Sequence, residues 1–308
     1  MTGRAQACGA LLLLLAVTSS ACGPGHPPAV RSSATPASAM PTSAAPLPPA
    51  VTFEVEVAQA RTDRVARIVE LQVRNTGPVD VVVERARLVS DLVGGGTEAG
   101  RDVGADRVRR LRVPLGPAAC GPDAPGDPAV RVELDVTTSD GRAGTVVVAP
   151  TDEADDLRRI HGEDCAAAAV AAGLRVTFAD DLVVREVEGV PVADVTLRVE
   201  PVPGGPHVRL TGVRATTLLR PWGATGRWDV DVDSAAPPPD GRLVLATVPA
   251  RCDLHAIAED KRGTVLGLAA VVDGVEQPLH FVAAPDALRG ALYEFVLAAC
   301  GGASDARP

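Results

Sequence analysis

Short apolar runs alternate with polar positions through most of the chain. Val69, Leu71 and Val73 alternate with Glu70, Gln72 and Arg74, and Val195, Leu197 and Val199 alternate with Thr196, Arg198 and Glu200. A period of two sends alternate side chains to opposite faces, the pattern of a half-buried β-strand. An alternating strand pattern at residues 130–136 and an apolar run at 146–148 flank Asp140-Gly141, and runs at 265–272 and 279–282 flank Asp273-Gly274. Asp-Gly between two apolar runs predicts a hairpin whose two turn residues both take positive φ. Valine, abundant in these runs, suits a pleated surface. Helical spacing occurs in two places. Leu157 and Ile160 share a face behind Asp152, Glu153, Asp155 and Asp156, whose charges complement a helix dipole. Leu288, Leu292, Phe295 and Val296 form the second such face.

These signals recur in one order. Val51-Thr52-Phe53 opens one set and Val176-Thr177-Phe178 the other. Cys120, a strand, Asp-Gly, a strand, Ala149-Pro150 and Cys165 are matched by Cys252, a strand, Asp-Gly, a strand, Ala284-Pro285 and Cys300. The interval from Ala-Pro to the closing Cys is 14 residues in both. The expected architecture is therefore mainly β: two tandem immunoglobulin-like β-sandwich modules, residues 51–168 and 169–303, each with a short terminal helix. Residues 166–172 fit either a helix tail or the lead into the second module. Of the three connectivities open to four cysteines, only Cys120–Cys165 with Cys252–Cys300 treats the copies alike. Each such bond would contribute about 3–4 kcal/mol through loop closure.

Composition sharpens this picture. Hydrophobic residues make up 46% of the chain but aromatics only 2%. The core must be built from Val, Leu and Ala, which bury less area per residue than aromatic rings, so cross-links gain importance. The net charge of -9 disfavours nucleic acid and anionic lipid surfaces as partners. Lys261 is the only lysine and Asn75 the only asparagine, a skew that fits codon use in a GC-rich genome. Arg107, Arg109, Arg110 and Arg112 alternate with Val108, Leu111 and Val113. They read as solvated positions on a strand, not as a nucleic-acid stripe.

The N-terminus has the layout of an export signal. Arg4 precedes an apolar stretch over residues 9–17, too short to span a bilayer and of the length of a signal-peptide core. Ser19-Ser20-Ala21-Cys22 resembles the lipobox of bacterial lipoproteins. In that family the Cys thiol receives a diacylglycerol and a peptidase cuts just before it. The resemblance implies a signal peptide over residues 1–21, lipidation of Cys22, and a membrane partner through the anchor. Ser19 stands where the family usually has an aliphatic residue, and Ser19-x-Ala21 also suits ordinary signal peptidase, which would give a secreted protein. Residues 23–50 are rich in Pro, Ala and Ser and nearly uncharged. Such a stretch behaves as a semi-extended spacer. With Cys8 removed and Cys22 acylated, an even number of cysteines remains, as paired disulfides in an oxidising compartment require.

Candidate chemistry is sparse. Residues 251–261, Arg-Cys-Asp-Leu-His-Ala-Ile-Ala-Glu-Asp-Lys, are similar to a stretch in uncharacterised envelope proteins of GC-rich Gram-positive bacteria, which implies no known activity. His255 and Glu259, four apart, with Asp253 nearby, form a candidate metal or acid–base group. A structural loop beside a disulfide is the favoured reading, because no second His lies at ligand spacing. His161 with Glu163 and Asp164 reads as a solvated acidic turn on an exposed helix end. His207 and His280 stand alone. Gly94-Gly95-Gly96 is not followed by Lys and reads as a flexible connection between strands. Asp155-Asp156 and Asp180-Asp181 are adjacent pairs whose side chains diverge. Trp222 and Trp228 are candidate loop aromatics for an envelope protein or glycan partner, weighed against capping of the second module's core. No Gly-x-Ser-x-Gly and no Ser-x-x-Lys occurs. The sequence thus favours a non-catalytic envelope lipoprotein without cofactor or metal, acting in binding or assembly. The alternatives are an enzyme or metal protein using His255, Asp253 and Glu259, and a solute-binding lipoprotein, whose usual two α/β lobes the β-rich pattern disfavours.

Overall fold

The computed structural model describes residues 45–121, 128–224, 226–253 and 262–304. Cys22, His255 and Glu259 lie outside the described residues. Mainly β, the chain has antiparallel sheets and, among the described residues, two long helices.

The first half contains β1 (Phe53–Ala58), β2 (Ile68–Asn75), β3 (Val81–Ser90), β4 (Val93–Val103), β5 (Val108–Ala118), β6 (Val130–Thr138) and β7 (Ala143–Val148). They form a seven-stranded sheet in the order β1-β2-β5-β4-β3-β6-β7. β5 serves two neighbours: its start pairs with β2 as far as Ile68↔Pro114, and its end pairs with β4 at Gly95↔Leu115 and Val93↔Ala118. Just beyond β7, Thr151 exchanges backbone hydrogen bonds with β1, Val57 N to Thr151 O at 2.8 Å and Thr151 N to Val55 O at 2.9 Å. The two ends of the sheet therefore meet, and the sheet curls around one core. Alternation explains that core: Val69, Leu71 and Val73 face inward and are fully buried. The run Gly94-Gly95-Gly96 lies within β4 and is not a connection between strands. The reason is steric. A Cβ on Gly95 would sit 2.3 Å from the Pro114 carbonyl oxygen, so only glycine allows β4 to approach β5 at the fold of the sheet.

In the second half β8 (Leu174–Val187), β9 (Val190–Pro201), β11 (Leu219–Pro221) and β13 (Arg242–Pro249) form one sheet in the order β11-β13-β9-β8. The other sheet runs β12-β10-β14-β15, from β10 (Val208–Arg214), β12 (Arg227–Asp233), β14 (Val265–Val272) and β15 (Val275–Glu276), with β16 (His280–Ala283) also on β14. Neighbour for neighbour, β8-β9-β13 repeats β1-β2-β5, and β12-β10-β14-β15 repeats β4-β3-β6-β7.

The two Asp-Gly turns differ. Asp273 (φ 47°) and Gly274 (φ 81°) both have positive φ and join Val272 to Val275 as a two-residue turn. In the first half only Gly141 (φ 80°) does so. There Thr138 N bonds to Arg142 O at 2.9 Å, enclosing a three-residue loop with glycine in the left-handed position.

Helix α1 (Asp156–Gly173) follows Asp152, whose carboxylate accepts from the backbone N–H groups of Asp156 (2.8 Å) and Leu157 (2.9 Å). This satisfies donors that a helix start leaves open. Residues 166–172 are the tail of this helix, so the expected boundary between residues 168 and 169 falls inside it. Leu157 and Ile160 pack in the first core; Val170 packs with Val199, Val208 and Leu210 of the second half. A Cβ on Gly173 would lie 2.2 Å from the Pro206 carbonyl oxygen, so the helix end sits directly on the second half. The described residues accordingly form one compact unit. Helix α2 (Asp286–Ser304) buries Leu288, Leu292, Phe295 and Val296 in the second core, the face its spacing predicts.

The chain's single asparagine is a structural fastener. Asn75 is fully buried. Its Nδ2 donates to Val79 O (2.8 Å) and Val103 O (3.0 Å), and its Oδ1 accepts from Gly77 N (3.0 Å). Asn75→Ala strands these buried groups and should lower the unfolding free energy by about 2–3 kcal/mol in urea denaturation. Two glycine-to-alanine substitutions should act with opposite sign. Gly173→Ala should cost about 1–3 kcal/mol through overpacking. Gly290→Ala, where an added Cβ meets nothing within 4 Å, should gain up to about 1 kcal/mol from helix propensity.

Candidate functional site

The most chemically distinctive place in the described structure lies where α1 meets both halves. Residues 64–67, between β1 and β2, carry Arg64 and Arg67. The middle of α1 presents Glu163, Asp164 and Ala167. Arg262 stands just before β14, and β14 and β16 supply Val265, Phe281 and Ala283. Together they line a cavity of about 170 Å³. A shallower depression of about 420 Å³ shares Arg262, Val265 and Phe281, and a third of about 180 Å³ shares Ala167 and Phe281.

Within the cavity the carboxylates are already engaged. Asp164 is ion-paired with Arg67, whose Nη2 also donates to Gly116 O at 2.9 Å. Glu163 accepts from Arg159 at 3.1 Å, and Arg159 further binds Asp156 (2.6 Å) and Gln59 Oε1 (2.7 Å). The Arg262 guanidinium lies 4.3 Å from the centre of the Phe281 ring, a cation–π contact. Gly267 makes room for that ring: a Cβ there would come within 3.1 Å of Phe281 Cε1. Arg64 makes no side-chain hydrogen bond or ion pair among the described residues, and its Nε is buried without an acceptor. Burial first, then the nearby Arg64 charge, lower the Arg262 pKa from its usual value.

The structure places the sequence-derived candidates as follows. Two disulfides form, Cys120–Cys165 and Cys252–Cys300. Each ties the segment just past an equivalent strand, β5 or β13, to the following helix. His161, Glu163 and Asp164 are not a solvated acidic turn at a helix end. They lie within α1: Glu163 is ion-paired with Arg159 of the same helix, and packing against the first half gives Asp164 its partner Arg67 and sets His161 Nε2 2.9 Å from Ala119 O. His161 also stands 3.5 Å from Cys165 Sγ. Ligand atoms of Cys120, His161 and Cys165 lie within 4.8 Å of one another, but both sulfurs are committed to the S–S bond and offer no thiolate.

Asp253 follows Cys252 in the described chain; its proposed companions His255 and Glu259 fall outside it. Trp228 is a core residue, 7% exposed, on β12. Its Nε1 donates to Ala246 O at 2.9 Å, and the backbone N–H of half-buried Trp222 donates to the same oxygen at 2.9 Å. The strand alternation of β12 carries the Trp228 ring inward, so the two tryptophans do not form an exposed pair. His207 Nε2 lies 2.7 Å from Asp233 Oδ1. Asp156 is buried, while Asp181 lies 3.9 Å from Arg242.

The sequence did not single out Arg64, Arg67, Arg262 or Phe281. No spacing rule connects positions almost 200 residues apart, and arginine supplies nearly every basic group in this chain, so no one of them stands out.

No protein-family model matches the chain, and no curated protein matches it. Solved structures show distant likeness. The YadV chaperone aligns over 70% of this chain and 90% of its own, at 12% identity and TM-score 0.18. The BSP domain of a biofilm-associated protein aligns over 78% of this chain and 58% of its own, at 8% identity and TM-score 0.23. A protein of unknown function from Porphyromonas gingivalis W83 aligns over 75% and 96%, at 13% identity and TM-score 0.18. Among the described residues, no helix is long and apolar enough to cross a membrane.

His280, on β16 beside the third depression, is 4% exposed and its Nδ1 has no hydrogen-bond partner among the described residues. Burial lowers its pKa from 6.5 to about 4. As pH falls through this interval the unfolded chain takes up a proton that the folded chain refuses. Stability is therefore full above the upper value, declines across the window by roughly 3 kcal/mol, and levels off below the lower one. Urea midpoints of the wild type should fall between pH 7 and pH 4.5, and His280→Phe should lessen that fall.

Proposed function

We propose that this chain is an exported, lipid-anchored envelope protein that works by binding or assembly at the outer face of the cytoplasmic membrane, without catalysis. On this reading Cys22 carries the lipid and the stretch after it lifts the folded part off the bilayer; the expected spacer over residues 23–50 is shorter at its end, because Ala45 O accepts from Ala143 N (3.1 Å) and Leu47 packs on the first core. The two halves are tandem immunoglobulin-like sandwich modules, a reading supported by their repeated strand order.

The observation that carries the proposal is the pair of disulfides set in equivalent places. Such bonds form and persist outside the reducing cytoplasm, and a thiol left over at Cys22 is accounted for if it is acylated. Two acyl chains give stable attachment where one is marginal. The cluster of engaged arginines and carboxylates beside α1, with an aromatic wall, suits recognition of a ligand; among the described residues it holds no nucleophile beside a base.

Mass spectrometry of the native mature protein tests this directly. The expected result is an N-terminal Cys22 bearing a diacylglycerol, with both disulfides intact. Cys22→Ala should move the protein from the detergent phase to the aqueous phase in a partition assay. An intact Met1 start with reduced thiols in cytosolic extract would overturn the proposal.

A further inference from the structure

We infer that the cleft between Arg64 and Arg262 is a binding site for a carboxylate carried on a small apolar body. This deepens the reading of the chain as a binding protein and rests on it.

Three features converge on that ligand. The first is charge. Arg64 and Arg262 face one cavity, and the acidic groups beside them, Glu163 and Asp164, are already held by Arg159 and Arg67. Among the described residues Arg64 keeps its donors uncommitted, with Nε buried and lacking an acceptor. A buried donor without a partner costs free energy, and an incoming oxyanion relieves that cost. A guanidinium presents paired N–H groups that match the two oxygens of a carboxylate.

The second feature is the wall. Val65, Val265, Ala283 and the Phe281 ring make much of the cavity apolar. Phe281 also orients Arg262 by stacking beneath its guanidinium. An apolar body is drawn to such a wall, whereas a bare inorganic anion gains nothing from it. The third is size and net charge. A volume of about 170 Å³ holds the equivalent of about five or six waters, the scale of a short branched acid. A dianion such as phosphate would meet the nearby Glu163 and Asp164 carboxylates at greater cost than a monoanion.

A free organic acid and the C-terminus of a polypeptide present the same group. Isothermal titration of the full mature chain with isovalerate and with N-acetyl-leucine distinguishes them. Saturable binding of either supports the site, and the tighter of the two identifies the source. Isovaleramide, which has the shape without the charge, should bind at least tenfold more weakly. Acetate, which has the charge without the body, should also be weaker. Arg64→Gln and Arg262→Gln should each weaken the acid at least tenfold, with circular dichroism confirming the fold. Arg185→Gln, at an exposed pair with Asp194, should leave binding unchanged.

The inference is overturned if neither acid binds saturably, if the amide binds as well as the acid, if both cleft variants bind like wild type, or if inorganic phosphate binds more tightly than isovalerate. The comparison of acid with amide needs no variant, so a misfolded substitution does not remove the test. Failure of acid binding leaves the lipid mass at Cys22 untouched, and an unmodified Cys22 leaves the titration untouched, so the two proposals fail separately.

Discussion

One helix belongs to two cores at once, and most of the structure depends on it. The N-terminal turns of α1 bury Leu157 and Ile160 among the strands of the first half, while its last turns bury Val170 among those of the second. A helix is stiff over this length, so the halves cannot move independently without breaking one of those contacts. Gly173 at its end and Gly205 opposite it lack the side chains that would hold the second half away. The disulfide at Cys165 and the ion pair between Asp164 and Arg67 anchor the same helix to the first half along its middle.

That constraint creates the cleft. Without a rigid connection, Arg64 and Arg67 before β2 and Arg262 before β14 would belong to separate surfaces. With it, they converge on one side of α1, and the helix contributes the carboxylates that neutralise part of the charge. The arrangement is costly by itself, since several guanidiniums share a half-buried place. Arg67 and Arg159 recover that cost through multiple hydrogen bonds to Asp164, Gly116, Asp156, Glu163 and Gln59. Arg64 does not recover it among the described residues, and this imbalance gives the cleft its chemical character.

A core poor in aromatics still closes because its parts are small and numerous. Valine and leucine fill both cores from alternating strand positions, and the few large rings serve particular places. Trp228 satisfies its own N–H on Ala246 O while filling the second core. Phe281 sits against a glycine, at the cleft, and supports a cation. Asn75, a polar residue at the centre of the first half, is tolerated because its amide hydrogen and oxygen atoms replace backbone partners that the turn at residues 76–79 lacks.

The sequence by itself determined the elements and the order in which they recur. Strand alternation at Val69–Val73, the helical faces at Leu157 and Leu288, and the matched cysteines are local or periodic signals, and the chain obeys them because each depends on nearest neighbours or a fixed period. The turn at Asp273-Gly274 follows its dipeptide for the same reason. The tertiary structure decided the rest. Whether Asp140-Gly141 closes in two residues or three depended on where its strands were held. Whether Gly95 was a loop or a corner depended on Pro114 across the sheet, and whether Trp228 faced inward depended on the phase of β12 against its core. The meeting of Arg64 with Arg262 is the extreme case. Nothing between them in the chain encodes it; only the packing of one helix against two sheets brings them together.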